Sequence, residues 1–160
     1  MKKFIISLAF ILSTSAFATS LAPRETIATL TNVNEDVASI EADNYGELII
    51  SPRHSRVAIK KNVSNKTRAQ IFEMASLLSN AEIKNDHRTM ICKMVPPRYQ
   101  PLLSVSAKQG NYFTGELHSV LSFSNCAISN IMYPKDAFMK TIAQDLKKLL
   151  MVLADEYGEE

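Results

Sequence analysis

Cys92 and Cys126 are the only thiols in 160 residues, and no other pair constrains this chain as much. Joined, they close a loop of 34 residues, which on a chain-entropy argument removes roughly 3 to 4 kcal/mol of unfolded-state freedom. That is a sizeable share of the ~5 to 15 kcal/mol that holds a typical domain together. Whether they pair depends on the compartment, which the amino terminus specifies.

Met1-Lys2-Lys3 precedes the apolar run Phe4 to Leu12, and Ala16-Phe17-Ala18 follows it. A basic start, a short apolar core and an Ala-x-Ala site are the three parts of a secretory signal peptide, so residues 1–18 are expected to be cut away. The apolar run is shorter than the ~20 residues a helix needs to cross a bilayer, which argues against an anchor. The mature chain, residues 19–160, is therefore expected in the periplasm or outside the cell, where thiols oxidise. Its length suits one domain with its own core. No Cys-x-x-Cys motif occurs, so a structural disulfide between Cys92 and Cys126 is expected rather than a redox pair.

The leader removes two of the eighteen cations and brings the formal charge to zero, so net charge selects no partner. The distribution of charge is more informative. From Arg53 to Lys108 eleven cations stand against three acids, whereas Thr19 to Pro52 and Gln109 to Glu160 are both acidic. Arg53, Arg56, Lys60, Lys61, Lys66 and Arg68 fall between Glu47 and Glu73 with no acid among them. On one surface they would attract another protein or an anionic envelope component. Nucleic acid is not the expected partner, because Pro52 to Ile71 contains no aromatic residue on which bases could stack. The competing reading is that the acidic flanks fold back and neutralise the segment.

Hydropathy gives the elements. Glu25 to Thr31 reads as a strand, and Asn34-Glu35-Asp36 resembles a short helix start, so residues 19–45 admit a strand, a helix or a mobile arm. Glu47 to Ser51 and Arg56 to Lys61 alternate as two strands, with Arg56, Ala58 and Lys60 on one face. Ser64 or Asn65 can cap a helix through Leu78 to Ala81, because Ile71, Met74, Ala75 and Leu78 recur on one side. Arg88 to Val95 is a further strand that Pro96-Pro97 ends. Leu103 to Ala107 and Leu117 to Ser124 flank the turn Gln109-Gly110-Asn111 as a serine-faced hairpin. Pro134 opens a long final helix whose apolar stripe runs from Phe138 to Tyr157, with Asp136 and Lys140 placed to pair. The predicted fold is α+β, an antiparallel sheet of about five strands with two packed helices and a single disulfide.

No catalytic constellation stands out. His54, His87 and His118 lack metal-ligand spacing, Gly-x-Ser-x-Gly is absent, and four glycines provide no phosphate-cradling loop, so no metal or cofactor is expected. Val95 to Pro101 forms a proline-stiffened loop that presents Arg98 and Tyr99 with little entropy left to lose on binding, as interaction loops do. The reading is an exported, soluble, non-enzymatic binding protein, an inhibitor or envelope adaptor. Two others are a small hydrolase using His118 or His87, and a homo-oligomeric structural envelope protein. Reduction of the mature protein should lower its stability by roughly 3 kcal/mol. A thermal melt with and without reductant checks this, and mass spectrometry should find the first eighteen residues missing and both thiols inaccessible to alkylation.

Overall fold

A computed structural model describes residues 23–90, 100–122 and 127–158. Cys92, Cys126, Arg98 and Tyr99, with the disulfide and loop expected from them, lie outside the described residues.

The class is α+β. Strands β1 (Thr26–Thr31), β2 (Val37–Asp43), β3 (Glu47–Pro52) and β4 (Ile59–Asn62) precede helix α1 (Asn65–Leu78). Strands β5 (Ile83–Met90), β6 (Leu102–Gln109), β7 (Tyr112–Ser122) and β8 (Ala127–Pro134) then lead to helix α2 (Ala137–Gly158). Six strands form an antiparallel sheet in the order β4-β3-β2-β1-β6-β7, and β5 pairs with β8 as a separate ribbon. The ribbon leans on β7, where the Met132 amide donates to Ser122 Oγ at 3.0 Å.

The register explains why this sheet closes on two helices. Ile59, Ile50, Ile40, Leu30, Leu103 and Leu121 are successive cross-strand partners, an unbroken apolar row over all six strands. Partners directly opposite each other share a face, so the row presents one continuous ridge. Against it α2 buries Ala143, Leu146, Leu150, Leu153 and Ala154, and α1 buries Ile71, Ala75 and Leu78. Burying one such large side chain is worth roughly 1.5 to 3 kcal/mol. A neighbouring row runs Lys61, Leu48, Ala42, Ala28, Val105 and His118, apolar in the middle and polar on both edge strands. Polar edges discourage further strand pairing.

Several sequence expectations need correction. Thr26 to Asp43 is neither arm nor helix but two inner strands, because Ala28, Leu30, Val37, Ile40 and Ala42 all face the core. Bulges near Thr26 and Val37 interrupt the alternation there. β4 begins only at Ile59, and Val57 is 74% exposed, so Arg56 stands in a loop. β5 starts at Ile83, five residues before the expected strand, and β8 was not anticipated. The polar run Lys84 to Thr89 hides the start of β5 from a hydrophobic pattern. Pro134 ends β8 rather than opening α2, and Asp136 caps α2 by accepting from the Met139 amide at 2.9 Å instead of pairing with Lys140. The sheet has six strands where about five were expected, and the ribbon adds two.

Leu150 is fully buried in this core, whereas Val152 is 60% exposed on the outer side of the same helix. Leu150→Ala should cost about 2 to 5 kcal/mol, and Val152→Ala should stay within about 0.5 kcal/mol. Urea unfolding of the two variants checks this rotation of α2.

Candidate functional site

The fold divides the basic segment. Arg53 is a strut, its Nε donating to the Asn34 carbonyl at 2.7 Å and Nη2 to Asn32 Oδ1 at 3.4 Å. Arg56 is exposed in the loop before β4. Alternation along β4 sends its two lysines to opposite faces. Lys60 pairs with Glu47 at 3.7 Å, and Lys61 lies over the Tyr157 ring at 5.9 Å. Lys66 and Arg68 stand on the first turns of α1, at the end of the sheet where β2 turns into β3. The acidic amino-terminal flank neutralises part of the segment, as Glu47 also takes Arg24 at 3.0 Å. Among the described residues, Arg56, Lys66 and Arg68 have no carboxylate partner.

Arg68 lines a concave site. The Ser64 hydroxyl accepts from the Thr67 amide at 3.1 Å and fixes where α1 begins. With Ile71, Ala75 and Leu78 held in the core, helical spacing leaves Asn65, Arg68, Ala69 and Phe72 on a common outer side. The Arg68 guanidinium donates to the Asn44 carbonyl through Nε at 3.2 Å and Nη2 at 3.0 Å. It lies 5.9 Å from the centre of the Tyr45 ring, and Arg24 is 5.8 Å from the same ring. The Arg68 stem runs beside Gly46, where a Cβ would stand 3.1 Å from both Cγ and Cδ. Gly46 has φ +87°, a left-handed conformation suited to glycine. Asp43 holds this turn by accepting from the Tyr45 amide at 2.9 Å and the Glu47 amide at 2.7 Å.

The facing wall comes from the tip of the β6–β7 hairpin. Phe113 is buried and meets Phe72 edge to face, with ring centres 5.2 Å apart and planes at 86°. Phe72 remains 37% exposed and Tyr112 66% exposed. Lys108 stands 5.8 Å from the Phe113 ring centre and donates to Ser76 Oγ at 2.7 Å. Between these walls lies a cleft of about 210 Å³. A second, more open hollow of about 400 Å³ runs over Asn65 and Ala69 and shares Arg68 and Phe72 with it. Aromatic surface beside a positioned guanidinium is the composition of a binding hot spot.

The histidines do not assemble. His118 is opposite Val105, not on the serine face, because the bulge between β6 and β7 at Ser104 shifts the parity. Ser104 and Ser119 instead share a hydroxyl contact of 3.3 Å. Among the described residues the His118 imidazole has no hydrogen-bond partner. His54 is exposed in the loop after β3, and the backbone of His87 pairs with Asn130 in the ribbon. A polar rivet joins the ribbon to α2. The Tyr133 hydroxyl donates to Asp86 at 2.6 Å, Lys84 pairs with Asp86 at 3.3 Å, and Lys140 lies over the Tyr133 ring at 4.7 Å. The hydrogen bond and charge of Asp86 hold the Lys84 ammonium above its ordinary pKa. A shallow hollow on α2 is lined by Gln144, Lys147, Lys148 and Met151, and burial pushes the Lys147 pKa down. No helix among the described residues is long and apolar enough to cross a membrane.

Sequence reasoning missed Tyr45, Phe72 and Tyr112. Phe72 carried a signal, since it is a large apolar residue off the buried stripe of its helix. No family model, curated protein or solved structure matches this chain.

Gly46→Ala forces a side chain into a left-handed backbone and against the Arg68 stem. The expected loss is about 1 to 2 kcal/mol of stability, read from the denaturant midpoint, together with a shift of the Tyr45 resonances.

Proposed function

We propose that this is an exported, non-enzymatic binding protein, periplasmic or secreted, that holds its partner at the cleft across α1. The observation that carries the reading is Arg68. It is oriented by a backbone carbonyl, has no carboxylate partner among the described residues, and stands beside two exposed aromatic rings. Such a group is set in place before the ligand arrives, so little ordering entropy is lost on binding. Lys66 and Arg56 add to the cationic field that draws an anionic partner.

The leader supports export, and the expected Cys92–Cys126 disulfide rests on that oxidising compartment.

The test is capture from the native envelope extract on immobilised protein at low and high salt. A component retained by the wild type should be lost with Arg68→Gln and with Phe72→Ala, and its retention should weaken as salt rises. Retention unchanged in both variants would overturn the cleft as the binding site.

A further inference from the structure

The geometry points to a carboxylate-bearing sugar, a uronic-acid unit of an acidic glycan, as the ligand of this cleft; the inference rests on the binding role proposed above. Arginine has five N–H donors, and Asn44 takes two of those on Arg68. The remaining three include one on each terminal nitrogen, the end-on edge that grips a carboxylate with two parallel bonds. Among the described residues no carboxylate of the protein occupies that edge.

The rest of the cleft suits a sugar better than another carboxylate carrier. Phe72 and Tyr112 expose ring surface on which the apolar face of a pyranose can lie. Asn65 and Asn111 line the two hollows, and among the described residues their amides have no partner. A primary amide offers a donor and an acceptor side by side, which matches a pair of neighbouring hydroxyls. At about 210 Å³ the cleft is smaller than a drug-sized site of roughly 300 to 1,000 Å³. It fits one ring-sized unit, and the chain of a glycan can continue through the hollow over Ala69. An extended acidic peptide that docked by adding to a strand edge would look for free backbone amides, and at this end of β7 the Glu116 amide already donates to Thr114 Oγ1 at 3.2 Å.

The experiment is calorimetric titration of the purified chain with trimers of galacturonate, mannuronate and glucuronate, the methyl esters of the same trimers, and triglutamate. At least one uronate trimer should bind, and its ester and triglutamate should bind at least tenfold more weakly. Arg68→Gln should weaken the acid at least tenfold and leave the ester unchanged, whereas Tyr112→Ala, folded by its thermal melt, should weaken acid and ester alike. Triglutamate binding as tightly as the best trimer would make the ligand an acidic peptide and overturn the sugar. An unchanged affinity in Arg68→Gln would overturn the carboxylate contact, and no binding by any trimer would overturn the class. If the trimers fail while retention from the envelope extract still depends on Arg68, the sugar falls and the binding role stands. If both fail, both fall.

Discussion

The rotation of α1 about its own axis is the constraint on which the site depends. Ile71, Ala75 and Leu78 are packed to zero or near-zero exposure, and once they are seated the other side of the helix has no freedom to choose what it presents. It presents Arg68 and Phe72, the first toward the β2–β3 turn and the second toward Phe113 at the tip of the β6–β7 hairpin. Two turns that are distant in sequence are thereby brought to one helix. The apolar row from Ile59 to Leu121 makes this possible, because it gives both helices a continuous surface to lie on.

The electrostatics follow from the same arrangement. The basic segment would act as one patch if its residues lay on one surface, but β4 splits its lysines between two faces and β3 separates Arg53 from Arg68. Glu47 then neutralises Lys60 and Arg24. Exposed pairs of this kind contribute little to stability. Among the described residues of the six this leaves Arg56, Lys66 and Arg68 without a carboxylate, and of these three Arg68 has aromatic surface beside it. Anchoring by a carbonyl preserves the full charge of the guanidinium, which a carboxylate anchor would have cancelled.

Parts of this were legible in the residues. The stripe from Phe138 to Tyr157, the Ser64 cap and the Gln109-Gly110-Asn111 turn are local patterns, and each sits within a residue or a few of its place in the fold. The α+β class followed from them. Thr26 to Thr31 was readable as a strand, whereas Val37 to Asp43 resisted because the bulge between Val37 and Ser39 breaks its alternation and the Asn34-Glu35-Asp36 run before it imitates a helix start. The β5–β8 ribbon resisted because its polar residues are held by partners such as Asp86 and Tyr133 that are far apart in the chain. The cleft was the least legible element. Arg68 stood out by charge, but Tyr45, Phe72 and Tyr112 become neighbours only through the sheet order, and no spacing in the sequence encodes that order.

The fixed orientation of Arg68 is open to direct measurement by nitrogen-15 relaxation of arginine Nε–Hε groups in solution. A guanidinium held by the Asn44 carbonyl should show an order parameter near the ~0.85 of rigid backbone, with slow exchange of its Hε proton. A value below about 0.6 would mean a side chain that samples many directions, and the cleft would then have no preset anion contact.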